Sequence, residues 1–330
     1  MSALPIAAPL RDGLRKALRQ YWKILRIVLP VFLLVTALRL VPVGGEPLLS
    51  RLAAIARPAM GWLGLPGEAA LAIVLGWALN IYACVSAMAT GGYSPAQATA
   101  MGLIVGIAHN FFVETAVLYK LKAQGLRLTV FRIAAGLITG GIYLRIAGAG
   151  GPGANSPAAL STLPPPGWLD RLGAPLWQAI SEQLLPLPAA WLGGGLKLLL
   201  NMAVIIALVF IAVEFLRAWG GLQWLLRAAR PLLRLLGLSD AAAMPWLAAF
   251  LFGLVYGAGL MLQAAEEQPL PPDQILKVSV FALLCHAIIE DTWLFQPVGG
   301  SVTQILLIRL TLAIGVGALL ARLVPRPLTE

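Results

Sequence analysis

The longest uncharged stretch of the chain, residues 69–113, contains no Lys, Arg, Asp or Glu and is filled mostly by apolar side chains. About 20 apolar residues suffice for one helix to cross a bilayer, so this stretch holds two such segments. Charged residues make up only 12% of the whole chain, whereas soluble domains carry about 25%. Because a soluble fold would lack a charged surface, we exclude soluble all-β and α/β classes and predict an all-α, polytopic membrane protein.

Apolar segments separated by turns and basic clusters give the candidate membrane spans. A basic amphipathic segment precedes the first span, and a Gly- and Pro-rich stretch interrupts the chain near its middle. The predicted domains are a basic interfacial helix (1–21), a first repeat (22–147), a linker with a surface segment (148–194) and a second repeat (195–324). The candidate spans are 22–43, 67–90, 95–119, 128–147, 195–216, 241–263, 272–296 and 303–324.

The two halves of the chain are an internal duplication. At an offset of 177 residues, His109 matches His286, the only other histidine. Further pairs at this offset are Gly76 with Gly253, Pro95 with Pro272, Gln97 with Gln274, Glu114 with Asp291, Thr115 with Thr292, Arg132 with Arg309, Gly140 with Gly317, and Arg145 with Arg322.

Upstream of these pairs the offset becomes 173, where Arg57-Pro58 matches Arg230-Pro231. The two offsets differ by four residues, and the matched pairs predict that this shift in alignment lies before Gly76. A long repeat in a helical membrane protein is typical of transporters.

Cations are concentrated in blocks between the spans, as expected for signals that orient a protein in the membrane. The net charge is +10, and a basic face suited to nucleic acid is not formed, so we exclude nucleic-acid binding. The predicted partners are the bilayer and its anionic lipids, and homo-oligomerisation stays open. The blocks are Arg11 to Arg26, Lys120 to Arg132, Arg217 to Arg234, and Arg322 with Arg326.

Orientation decides between parallel and inverted repeats. Four full crossings per half would make the halves parallel and leave the basic N-terminus outside, against the positive-inside rule. Three crossings and one re-entrant or broken segment per half keep the main basic blocks inside and make the halves inverted. Either segment flanking Pro95 and Pro272 could be the re-entrant one. We therefore predict a multi-pass protein of the cytoplasmic membrane with a cytoplasmic N-terminus.

A repeated motif, His-x4-(Glu/Asp)-Thr, places ionisable groups inside apolar segments. Such groups are costly in lipid, so they face a cavity, a partner or a permeation path. An alternative is that each His bonds a carboxylate of the other half and only holds the halves together. If the segments meet, His109 should lie near Glu290 or Asp291, and His286 near Glu114. The predicted substrate-binding residues are His109, Glu114, Thr115, His286, Glu290, Asp291, Thr292 and Asn80.

A metal ion is a further option for the motif, with His109, Glu114, His286 and Asp291 as ligands. In an unbroken helix, five residues turn through about 500°, which leaves His109 and Glu114 about 140° apart. A shared ion would therefore need a break in the segment or ligands from both halves. Two imidazoles and two carboxylates suit iron, zinc or manganese.

Enzyme motifs are absent from the sequence, so we predict that the protein is not an enzyme and uses no cofactor. There is no HExxH, no Walker lysine and no serine nucleophile motif beside a histidine. The run Gly148-Ala149-Gly150-Gly151-Pro152-Gly153 matches a dinucleotide fingerprint only in its letters, because no strand precedes it.

The Arg-Pro interfacial helix, the Leu63-Gly64-Leu65 entry, and Ser94-Pro95-x-Gln97 leading to the His109/Glu114 segment resemble the Gate, or nucleoside-recognition, domain. That domain occurs in spore maturation membrane proteins, the membrane part of ferrous-iron transporters, and concentrative nucleoside carriers. The resemblance covers 22–147 and 195–324, which implies two copies.

The resemblance and the duplication together predict gradient-driven translocation of a nucleoside-like molecule or a divalent metal ion. The site is expected at the repeat interface. The alternative is a non-transporting membrane scaffold of the spore-maturation type, and a receptor-like role is third.

Overall fold

The computed structural model describes residues 6–43, 45–147, 189–267 and 270–324. Within these residues the protein is almost entirely α-helical, apart from a two-stranded antiparallel ribbon. The prediction of an all-α membrane protein is confirmed. Helices long and apolar enough to cross a membrane, by length and composition, are Pro95–Lys120, Gly125–Ile146, Leu198–Ala218 and Val302–Leu323.

The first half opens with a long helix and closes with another. Between them lie a ribbon, a surface helix and two pairs of shorter helices. The elements are α1 (Ala7–Leu40), β1 (Pro42–Val43), β2 (Glu46–Pro47), α2 (Leu48–Leu63), α3 (Ala69–Ala78), α4 (Ile81–Met88), α5 (Pro95–Ile107), α6 (Phe111–Lys120) and α7 (Gly125–Ile146).

The second half repeats this order of helices and adds one 3-10 turn, Gln296–Val298. Its helices are α8 (Ala189–Ala218), α9 (Gly221–Leu235), α10 (Asp240–Phe252), α11 (Leu254–Glu267), α12 (Pro272–Leu284), α13 (Ile288–Trp293) and α14 (Val302–Leu323).

The helix bounds confirm the duplication. Both ends of α5 and α12 differ by 177 residues, and so do both ends of α7 and α14. Helices α2 and α9 begin 173 residues apart. Two copies of one sequence pattern have therefore folded into two copies of one helix arrangement.

The predicted position of the four-residue shift is wrong. The N–H of Asn110 donates to the carbonyl of Gly76 at 3.1 Å, and in the second half the N–H of Ala287 donates to the carbonyl of Ala249 at 3.3 Å. Gly76 is thus equivalent to Ala249 rather than to Gly253. The shift comes later, where α11 has 14 residues and α4 has 8.

Helices α3 and α4 form a hairpin, and so do α10 and α11. A Cβ atom on Gly76 would lie 3.0 Å from the Cβ of Cys84, and one on Gly257 would lie 2.4 Å from the Cβ of Ala249. The arms therefore fold back on each other. At 1.5 Å per residue the 10-residue α3 spans about 15 Å, half of a bilayer core.

The hairpin geometry therefore favours 67–90 and 241–263, rather than 95–119 and 272–296, as the re-entrant segments. The segment 95–119 differs from them, because α5 and α6 together are long and apolar enough to cross a membrane as one span, despite the break between them. Helix α9 meets α10 at a bend of 107°, so the two helices do not continue in one direction.

The equivalent helices α1 and α8 pack against each other in opposite directions. Gly13 near the start of α1 contacts Ile211 near the end of α8, and Phe32 contacts Gly195 near its start. Equivalent helices that run antiparallel are related by an axis perpendicular to them, as inverted repeats are.

Helix α1 differs from its prediction in one respect. The basic segment was expected as a separate helix ending at residue 21, but it continues without a break into the first span. The predicted linker falls largely outside the described residues, which resume at 189, and so does most of its surface segment.

The apolar core forms two clusters that each draw on both halves. One gathers side chains of α1 and of α3 to α5 with those of α8. The other gathers side chains of α6 and the start of α7 with those of α9 to α13. The halves are therefore interlocked, and a site between them is held by packing from both.

Single cysteines test this topology in a background where Cys84 and Cys285 are replaced by Ala. With α3–α4 as a re-entrant hairpin, we expect Gly92→Cys and Gln296→Cys to react with an impermeant thiol reagent from the outer face, and Gln124→Cys from the cytoplasmic face. Labelling of Gly92→Cys from the cytoplasmic face would instead make 95–119 the re-entrant segment. Labelling of Gln124→Cys from outside would contradict the inverted arrangement.

Candidate functional site

The site begins with a break in one helical segment of each half. Asn110, between α5 and α6, has φ 50°, and its equivalent Ala287, between α12 and α13, has φ 41°. A left-handed conformation is uncommon for residues other than Gly. Each is held by the backbone hydrogen bond that its N–H donates to the first arm of the neighbouring hairpin, at Gly76 and Ala249.

The two histidines lie at these breaks and are oriented in the same way. His109 Nδ1 is 2.9 Å from the carbonyl oxygen of Val105, and His286 Nδ1 is 2.7 Å from that of Ala282. A carbonyl can only accept, so each Nδ1 carries the hydrogen and donates it. In the neutral ring, Nε2 is then left with its lone pair directed away from the backbone.

The breaks bring the two rings together between the halves. The Nε2 atoms of His109 and His286 are 3.3 Å apart, and Glu114 Oε1 lies 3.5 Å and 3.3 Å from them. Asp291 Oδ2 lies 3.9 Å and 3.8 Å from the same two nitrogens. The predicted proximities of His109 to Asp291 and of His286 to Glu114 are confirmed. That these residues bind a substrate stays a prediction.

Two arginines complete the cluster, and sequence reasoning missed their role. Arg132 donates a hydrogen bond to Glu114, and Arg309 lies 4.0 Å from Asp291 while donating to the backbone carbonyl of His286 at 3.1 Å. Both arginines are 0% exposed. By its position in the sequence, Arg132 was placed in the basic block between two spans, although it shares a repeat position with Arg309, which lies inside a span.

The cluster is electrostatically balanced when its histidines are neutral. With both acids ionised, the carboxylates of Glu114 and Asp291 carry two negative charges, and Arg132 and Arg309 carry two positive ones. Burial of ions is costly unless they are paired, which explains why the acid and the arginine recur together in both halves.

The remaining predicted residues lie at or beside the cluster. Thr292 accepts a hydrogen bond from Arg309 at 3.5 Å, whereas Thr115 forms a hydrogen bond with Thr129 at 2.6 Å. Glu290 accepts a hydrogen bond from Tyr82 and, of the two acids considered near His109, is not the one in contact. Asn80 caps α4 by accepting the N–H of Ala83 at 3.0 Å.

A cavity of about 420 Å³ connects the cluster with one end of the helix bundle. The turns of the two hairpins, Asn80 and Gly253, lie along it, and an ion pair of 2.7 Å between Lys16 and Glu214 lies at its outer part. The ionisable residues lining it are Lys16, His109, Glu114, Glu214, Arg217, His286, Glu290 and Asp291, together with Tyr82.

Comparison with known proteins identifies relatives of this arrangement. The family model described as Gate, nucleoside recognition, matches residues 21–124 and again 199–301. The "Uncharacterized membrane protein YvoD" of Bacillus subtilis (strain 168) is 31% identical over 307 residues, which cover 92% of this chain and 90% of that protein. No solved structure was found to match the chain.

Removal of one partner from the buried pair tests the electrostatic account. Glu114→Gln or Arg132→Met leaves an uncompensated buried charge, so each should lower the free energy of unfolding by about 3–5 kcal/mol. The double variant should lose less than the sum of the two, because the residues are in contact. Unfolding in detergent micelles measures both.

The control for this pair is Arg11→Ala. Arg11 forms a solvent-exposed ion pair with Asp12, and such pairs contribute at most about 1 kcal/mol. Strict additivity of the Glu114 and Arg132 changes would show that the pair is not coupled.

Proposed function

Since the chain belongs to the Gate, or nucleoside-recognition, family of membrane proteins and holds two copies of its domain, we propose that it translocates a small solute across the cytoplasmic membrane. The binding site lies at the interface of the two repeats. The observation that carries this proposal is the cavity that leads from one end of the bundle to the buried ionisable cluster.

The cavity supports translocation because it gives a polar solute access to the middle of the helix bundle. Ionisable groups in a membrane interior mark pathways or binding sites more often than structural supports. Here the groups come from both halves, and the turns of both re-entrant hairpins line the same space. Broken and re-entrant helices around a central site are the usual architecture of secondary transporters.

At the other end of α1 the corresponding region is closed. Arg39 pairs with Glu68 at 3.3 Å beside the buried Tyr93, around a cavity of only about 10 Å³. Access from one end and closure at the other is the arrangement that alternating access requires of one state. With the N-terminus in the cytoplasm, the open end is the cytoplasmic one.

The proposal includes no catalytic step. Of the two cysteines, both within the described residues, Cys84 and Cys285 are buried and free, and neither lines the cavity. Energy for net transport would come from a gradient of the solute or of a coupled ion.

Ligand-dependent stabilisation and uptake test the proposal together. A solute that binds the folded state raises the unfolding midpoint, so nucleosides, divalent metals and small organic anions should be screened with purified protein. We expect one class to raise the midpoint and to enter proteoliposomes. Failure of every class, together with a stable co-purifying partner, would support a membrane scaffold instead.

The cavity itself can be blocked. Asn80→Cys, in a background without the two native cysteines, should react with a bulky impermeant thiol reagent from the cytoplasmic face, and the adduct should stop uptake. Leu79→Cys is the matched control, because Leu79 precedes Asn80 in the chain, is 44% exposed and does not line the cavity. Equal inhibition at both positions, or none at Asn80, would contradict the proposed route.

A further inference from the structure

We propose that the cluster binds a first-row transition-metal dication through His109 Nε2, His286 Nε2 and Glu114 Oε1, and that this ion is the transported solute. The role as cargo rests on the proposed function, whereas binding does not. The three ligand atoms lie within 4.8 Å of one another, and all three residues are buried.

The distances between the ligand atoms fit one ion. In a tetrahedral site, metal bonds of about 2.0–2.1 Å to nitrogen and oxygen place neighbouring ligand atoms about 3.3–3.4 Å apart. The structure has 3.3 Å between the two nitrogens, and 3.3 Å and 3.5 Å from them to Glu114 Oε1. The three atoms therefore form one face of a tetrahedron of the correct size.

A shared proton accounts for this triangle less well. A charge-assisted hydrogen bond draws its two atoms to about 2.7–2.9 Å and leaves a third atom out of line. Neither histidine reaches that distance from Glu114, and the two imidazole nitrogens are equally far from each other. Three electron-pair donors at nearly equal separations favour a metal cation over a shared proton.

Asp291 supplies a second, independent indication. Its Oδ2 atom is buried and accepts no hydrogen bond from the described residues. It lies 3.9 Å from His109 Nε2 and 3.8 Å from His286 Nε2, slightly beyond the tetrahedral edge. A small movement of this side chain would complete a fourth ligand position.

The groups behind the ligands hold them in the orientation that a metal requires. Both Nδ1 atoms donate to backbone carbonyls, which fixes the ring planes and directs Nε2 to the centre. Arg132 holds the other oxygen of Glu114, so Oε1 stays free to bind. Two imidazole ligands favour zinc, iron or a similar ion over Mg²⁺ and Ca²⁺, which prefer oxygen.

The arginines make such a site suited to release. Arg132 and Arg309 already balance the two carboxylates, so the charge of an incoming dication is not compensated. A transported ion must bind well enough to enter and weakly enough to leave. The cavity provides its route from Lys16 and Glu214 at the outer part to the ligands.

Metal binding is tested on the full-length protein, purified without a polyhistidine tag and treated with a chelator. We expect Zn²⁺ to raise the unfolding midpoint and Mg²⁺ to leave it unchanged. Co²⁺ should give the intense visible absorption of a tetrahedral site. His286→Gln should abolish both signals, and Glu114→Gln should weaken binding at least about tenfold, as losses around metal ligands do.

Glu290→Gln is the matched control, because it removes a partly buried glutamate from the same cavity without touching the triad. It should bind Zn²⁺ as the parent does. The site is refuted if Zn²⁺ and Mg²⁺ shift the midpoint equally, or if Glu290→Gln and His286→Gln lose binding alike. Since a folding defect would confound the comparison, the midpoint without metal is measured for each variant.

The outcomes separate the two proposals. Metal binding that needs His286, without uptake of any solute into proteoliposomes, supports the site and contradicts translocation. Uptake of another solute by protein that does not bind Zn²⁺ or Co²⁺ overturns the metal site and leaves translocation standing.

Discussion

The fold depends on how buried charge is compensated between the two repeats. Glu114 is paired with Arg132 inside the first half, and Asp291 faces Arg309 inside the second. Neither acid could stay ionised in this apolar interior without its arginine. Because the compensation is made within each half, the two histidines are left to face each other at the interface, and the chemistry of the site is set there.

Duplication and inversion bring these groups to one place. A break that follows α5 in the first half recurs after α12 in the second, and at each break a backbone N–H donates a hydrogen bond to a carbonyl of the adjacent hairpin. The antiparallel packing of α1 and α8 relates the halves by an axis across the bundle. Groups near that axis meet their own copies, so one histidine per repeat gives a pair.

The sequence was sufficient to predict the class, the duplication and the residues that meet. Ionisable side chains at matched positions in apolar segments predicted that His109 would approach Glu290 or Asp291, and that His286 would approach Glu114. The re-entrant segment of each half could not be assigned from the sequence, because either choice leaves the main basic blocks on the cytoplasmic side. Arg132 was missed because a cation near a span end looks like a topology signal until its burial is known. The alignment error at Gly76 arose because two glycines matched by chance across a shifted hairpin.

The central claim is that the two imidazole rings face each other across the repeat interface. The chain has only two histidines, so solid-state NMR of protein labelled with ¹⁵N-histidine in lipid, prepared without a histidine tag, observes these rings alone. At a separation of 3.3 Å the two Nε2 nitrogens should give a ¹⁵N–¹⁵N correlation between residues. A spectrum that shows only the Nδ1–Nε2 correlation within each ring would place the histidines apart and contradict the account.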